Sequence, residues 1–263
     1  MENNLSLQKT AYSTIVRKEV LRFSRIWKQT LIPPVITNIL YFIIFGNLIG
    51  ERIGKIDSFT YTDFIFPGLL LMSVITHSYT NTVSSLYISK YHRYIEELLV
   101  SPIQNYTILA GFITGGVIRG LAVGIVVILA AQFFVNFTVH NIILMLIVIF
   151  LSSTLFSMCG FLNGLFANDW DDINVIPTFI MTPLTYLGGI FFSVSMLPGV
   201  WQEIALANPI LYLINALRFS MLGITDVSII FAFFIILIFN IFVASLCMYC
   251  LLYTSPSPRD DEL

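Results

Sequence analysis

Charge is scarce in this chain. Asp, Glu, Lys and Arg supply 11% of its 263 residues, less than half the roughly 25% usual in soluble domains. Together with a hydrophobic share of 57%, this excludes a soluble globular protein and leaves an integral membrane protein. The apolar segments hold almost no carboxylates. An ion- or proton-coupled carrier, or a channel of that kind, would want paired ones, so that reading stands only as the alternative. No Gly-x-x-x-x-Gly-Lys-Ser/Thr loop is present to cradle phosphates. The only Lys followed by Ser or Thr is Lys9-Thr10, with no glycine near it. Any nucleotide-driven work must come from another polypeptide. A Gly-x-Ser-x-Gly elbow is missing too, and Glu96-Glu97 is not followed by the Arg that one membrane-protease family places four residues on. The chain reads as a transport subunit rather than an enzyme. Cys159, Cys247 and Cys250 all lie in apolar segments. Cys247-x-x-Cys250 lacks a His or a second pair, so the three are structural and no metal site is expected.

What charge there is gathers near the start. Lys9, Arg17, Lys18, Arg22, Arg25 and Lys28 fall within residues 9–28. Tyr12, Ile15, Val16, Val20, Phe23, Ile26 and Trp27 recur there at helical steps and form one stripe. This pattern predicts an amphipathic helix lying in the interface, cations toward anionic head groups. The alternative is a basic flank of the first span. The stretch lacks the apolar core and small-residue site of a cleavable signal.

Apolar runs predict six spans at about 31–49, 62–85, 106–134, 142–166, 173–192 and 227–252. Each is near or above the ~20 residues needed to cross ~30 Å of hydrocarbon. Pro33-Pro34 reads as the opening of the first. Glycines crowd the third (Gly111, Gly115, Gly116, Gly120, Gly124), where they let helices approach closely in lipid. Asn168, Asp169, Asp171 and Asp172 form a short acidic loop before the fifth, which Pro177 and Pro183 break. Lys90, Arg93 and the N-terminal cations outnumber Arg52, Lys55 and Arg218. This places the N- and C-termini in the cytoplasm. Residues 253–263 have a disordered-type composition and read as a truncated or non-native tail, outside the single transmembrane domain of residues 1–252.

Three constellations carry functional readings. Between spans two and three, Tyr91 to Pro102 forms a short helix with Ile95, Leu98 and Leu99 on one face and Arg93, Glu96 and Glu97 on the other, before Ser101-Pro102. It suits a groove on a cytoplasmic partner; the alternative is a solvated connector. Arg119 sits mid-span, where a charge costs about 2.5–3.5 kcal/mol on insertion scales. It is either a cavity-lining cation for an anionic or lipid-headgroup substrate, or a structural Arg on neighbouring carbonyls. His77 and Asn81 face the same choice; His77 reads better as a packed, hydrogen-bonded histidine.

The third constellation lies between spans five and six. Leu197-Pro198-Gly199 turns into a short helix. Asn208 then suits an N-cap and Pro209 the first helical position, followed by Tyr212 and Arg218. A helix over 209–222 is about 21 Å long, too short to span. A re-entrant helical hairpin fits, since irregular backbone at membrane depth persists only inside protein or around water. A surface amphipathic helix is the alternative.

Taken together, these blocks resemble the ABC-2 type permeases, the membrane subunits of bacterial ABC exporters. The resemblance rests on Trp27 with Pro33-Pro34, the segment Tyr41 to Gly50, Phe66-Pro67-Gly68-Leu69, Ile95 to Pro102, Pro183 to Gly189, and Asn208-Pro209-Ile210 with Tyr212 and Arg218. It covers residues 9 to about 250. It implies an all-α membrane protein of six helices in the bacterial cytoplasmic (inner) membrane. It also implies a homodimer that forms the pathway and binds two cytoplasmic ATPase subunits, which would carry the ATP and Mg. It assigns Glu96 to Pro102 as a coupling helix and the Asn208 hairpin as an extracellular element. Membrane lipid is the remaining expected partner, nucleic acid is not one, and no cofactor is expected in this chain.

Overall fold

The computed structural model describes residues 2–56, 59–135 and 139–254. The tail read from the sequence lies outside them from residue 255 on. Among the described residues the architecture is all-α apart from one minimal hairpin. Helix α1 runs Glu2–Arg25 and breaks at Ile26 into α2, Trp27–Tyr41, which widens into π-helical turns over Phe42–Ile49. Pro33 and Pro34 lie inside α2 rather than in its first turn, because the break at Ile26 starts the helix earlier than the prolines suggest. A short α3 (Gly50–Ile53) leads to β1 (Lys55–Ile56) and β2 (Phe59–Thr60), which pair antiparallel with Lys55 opposite Thr60.

Helix α4 spans Tyr61–Tyr91 and is the spine of the molecule. The Thr60 hydroxyl caps it by accepting the Asp63 N–H at 3.3 Å. Then come α5 (Tyr94–Val100), α6 (Asn105–Ala131) and α7 (Ile142–Phe166). Both long helices pack on α4, and glycine sets how closely. A Cβ on Gly120 would overlap the Ser78 hydroxyl, and one on Gly160 would come 2.5 Å from the Tyr79 carbonyl oxygen. The core lies at these contacts: Leu70, Val74, Tyr79, Phe112 and Phe161 are fully enclosed. Phe150, Ile125 and Phe242 point outward, as lipid-facing side chains should.

The fifth predicted span is an irregular helical run that ends at Leu187 rather than near residue 192. It consists of α8 (Asp172–Ile176), π-helical turns over Pro177–Met181, and α9 (Thr182–Leu187). Each proline removes a donor from the ladder, and the run passes through π-helical turns without leaving helical backbone until Leu187. Helices α10 (Gly199–Leu206) and α11 (Pro209–Leu222) follow, bent by 85° at their junction, and α12 closes the fold over Ile229–Thr254. Among the described residues, four segments are both long and apolar enough to cross a membrane: Trp27–Gly46, Asn105–Ala131, Ile142–Phe166 and Ile229–Leu252; the bent pair makes a fifth candidate. Helix α4 is long enough at 31 residues, but Asp63, His77, Asn81 and its serines and threonines dilute its apolarity.

Candidate functional site

One end of α4 turns into α5 through Arg93, whose φ of 62° is left-handed, a conformation L-residues adopt rarely. The reversal lays α5 back against the protein. Ile95 is buried, while Leu98 and Leu99 are half-buried against the core. The apolar face read from the sequence therefore points inward. Glu96, Glu97 and Val100 are exposed, Val100 at 76%. The Ser101 hydroxyl donates to the Leu98 carbonyl at 2.6 Å and closes the helix.

Gln8 of α1 clasps the exit from α5. Its amide nitrogen donates to the Pro102 carbonyl at 3.2 Å. Its amide oxygen accepts the Gln104 N–H at 3.1 Å and the Thr107 hydroxyl at 2.7 Å. The sequence reading missed it, since the amphipathic helix it predicted begins at residue 9, whereas α1 begins at Glu2.

Farther along α1, Glu19 is fully buried. Its carboxylate accepts the Ser85 hydroxyl at 2.5 Å, Arg22 Nη2 at 3.1 Å and the Asn81 amide at 3.5 Å. Arg22 also donates to the Asn81 carbonyl at 2.8 Å and to Asn81 Oδ1 at 2.9 Å. Arg119 of α6 reaches the same Oδ1 at 3.5 Å and is buried. The structure thus brings Asn81 and Arg119 together and adds Glu19 and Arg22. A lone acid among basic residues, four places from both Ile15 and Phe23, was the available signal. Glu19 is the buried partner and Arg22 is half-buried; removing Arg22 would strand the carboxylate, so this cluster ties α1 to α4. His77 is half-buried and lines a neighbouring groove of about 210 Å3 between α2 and α4, with Pro33, Asn38, Tyr41, Ser73 and Thr76. The Asn38 amide nitrogen donates to Ser73 Oγ and to the Pro34 carbonyl, both at 2.7 Å.

The opposite end of α4 meets the bent pair. The Asn208 side-chain oxygen accepts the Ile210 N–H at 3.0 Å, with Pro209 first in α11. The Asn208 amide nitrogen donates to the Leu184 carbonyl at 2.5 Å. The Tyr212 hydroxyl reaches back to the Leu206 carbonyl at 2.7 Å and braces the bend. Arg218 is 1% exposed. Its guanidinium lies 3.9 Å from the centroid of the Phe64 ring, donates to the Gly189 carbonyl at 2.5 Å and stands 3.6 Å from the Asp226 carboxylate. Asp226 also accepts the Ser193 hydroxyl and the Val194 N–H, joining three chain segments. The sequence reading overlooked Asp226 because it sits in a turn rather than a span.

Residues 10–222 match the family model described as ABC-2 type transporter. The chain is 50% identical over 237 residues to the inner membrane transport permease YadH of Escherichia coli K12, covering 90% of this chain and 93% of that protein. It is 25% identical over 208 residues to nodulation protein J of Rhizobium leguminosarum bv. viciae, covering 75% and 78%. With nodulation protein J of Rhizobium meliloti it shares 23% over 204 residues, covering 75% and 77%.

Proposed function

The chain belongs to the ABC-2 type transporter family, and from that premise we propose that it is the permease subunit of an ATP-binding cassette exporter. It is a multi-pass inner-membrane transport protein. In the proposed arrangement two copies form the pathway, and two separate ATPase subunits bind ATP and Mg on the cytoplasmic side. The six spans are α2 with its π-helical extension, α4, α6, α7, the α8–α9 segment and α12. Both termini are cytoplasmic, and α10–α11 is a re-entrant hairpin at the outer face.

One observation carries the coupling role: α5 leaves Glu96, Glu97 and Val100 exposed while Gln8 holds its exit to α6. A push on the exposed face therefore moves a clasped element, not a loose loop. The groove at Asn38 and His77, mainly apolar with a few polar side chains, supports a pathway along α2 and α4, since polar side chains at membrane depth favour water or protein. The hairpin, fixed by Asn208, Tyr212 and Arg218, would close the outer end.

The test is to co-express the chain with the ATPase from a neighbouring reading frame and purify the complex in mild detergent. The proposal expects a stable complex whose ATP hydrolysis drives transport in liposomes. Transport by this chain alone under an ion gradient would establish the secondary-carrier alternative instead.

A further inference from the structure

At the end of α4 assigned to the cytoplasm lies a cleft of about 350 Å3, walled by Tyr87, Tyr91, His92 and Trp170. Trp170 meets Tyr87 edge-on with ring centroids 5.4 Å apart, and Tyr91 stacks on Tyr87 at 6.2 Å. Tyr91 is 72% exposed and Trp170 53%. The same connection between α7 and α8 carries Asp169 and Asp171, both exposed, and Asp172, half-buried. Lys90 does not fill the cleft with its own charge. Its ammonium donates to the Leu165 and Ala167 carbonyls, each at 2.8 Å, at the C-terminus of α7.

Exposed Tyr and Trp at the ends of spans ordinarily form an interfacial belt. Here one of the rings, Trp170, shares a loop with Asp169 and Asp171, which anionic lipid surfaces repel. The loop therefore belongs in water. Aromatic faces beside carboxylates make a receptor for a cation. A planar guanidinium suits it better than an ammonium, because it stacks on rings and offers a fork to carboxylates.

We propose that this cleft receives an arginine side chain of the cytoplasmic ATPase, as a contact separate from α5. The proposal rests on the permease reading above. The cleft is continuous with α5 through ring contacts of Tyr91 with His92 at 5.3 Å and His92 with Tyr94 at 5.6 Å. One partner surface can therefore cover both.

The test measures ATPase affinity for the permease in nanodiscs, over a range of salt, for Trp170→Ala, Tyr91→Ala, Asp169→Asn with Asp171→Asn, and Glu96→Lys as a separate arm. Tyr91 is exposed, so its variant guards against a folding defect in Trp170→Ala. Each ring variant is expected to weaken binding about tenfold, the scale of one desolvated cation–π contact. The double aspartate variant should weaken binding and flatten its salt dependence. Unchanged affinity in the ring variants would overturn the proposal. So would unchanged affinity accompanied by a shift in Trp170 quenching by lipid, which would assign the rings to the interfacial belt. If Glu96→Lys alone weakens binding, the α5 contact stands and the cleft contact falls. If the unaltered chain binds no ATPase, the permease reading fails and takes this contact with it.

Discussion

Gly115 of α6 stands directly against Glu19 of α1: a Cβ on Gly115 would lie 2.4 Å from the Glu19 Cβ. The glycine is what lets a buried carboxylate reach Ser85 and Asn81 on α4. Gly115→Ala should push α1 outward and cost about 1–3 kcal/mol, the range for overpacking. Thermal unfolding in detergent would measure it. A melting point unchanged within error would mean that α1 yields without resistance.

Glu19→Ala should be worse than Glu19→Gln. Alanine leaves the half-buried Arg22 and the buried Ser85 hydroxyl without their carboxylate partner, a loss of about 1–3 kcal/mol. Glutamine keeps an acceptor for the Ser85 hydroxyl. A double-mutant cycle with Arg22→Ala, read from detergent melting, should show strong coupling; additive effects would refute the pairing.

Gln8→Ala removes the side-chain hydrogen bonds from Gln8 to Pro102, Gln104 and Thr107. Complex formation should survive, because the exposed face of α5 is untouched. Transport per ATP hydrolysed should fall severalfold. Parallel assays of hydrolysis and transport decide this, and an unchanged ratio would leave the clasp without a coupling role.

Arg218→Lys keeps the charge but loses the planar group over Phe64 and the fork toward Gly189 and Asp226. It should destabilise the protein by about 1–3 kcal/mol. Asp226→Asn should weaken the same junction. Proteolysis between α9 and α12 offers a direct readout, with faster cleavage expected in both variants.

Asp172 supplies a pH dependence. Its carboxylate accepts the Asn168 and Asp169 N–H groups at 2.9 and 3.1 Å, and these bonds hold its pKa below the usual carboxylate range. A depressed native pKa stabilises the loop above the unfolded value. That contribution fades as pH falls from about 4 toward the native pKa. Trp170 fluorescence, in a background lacking Trp27 and Trp201, should report a transition there that Asp172→Asn abolishes.

Local chemistry was the legible part of this molecule. Asn208 before Pro209 marks a helix start in any context, because cap and fixed φ act within one turn. The glycine run on α6 announced close approach without saying to what. Gln8 and Glu19 were opaque for the opposite reason. Their partners lie far along the chain, and periodicity says which way a residue faces, not what it meets. The fifth span illustrates a third limit. Its two prolines announced an irregular helix, but not that the irregularity would take the form of π-helical turns over Pro177–Met181 or that the helix would end at Leu187.

The prolines inside α2 have a mechanical outcome. The Gln29 and Thr30 carbonyls receive no N–H from Pro33 and Pro34, so the ladder there is already open beside the Asn38 groove. Bending at that level has two fewer backbone bonds to oppose it than elsewhere in the helix. The proline turn of α2 and the groove lined by Asn38 therefore coincide, so the wall of the groove is the part of α2 with the fewest backbone hydrogen bonds to hold its shape.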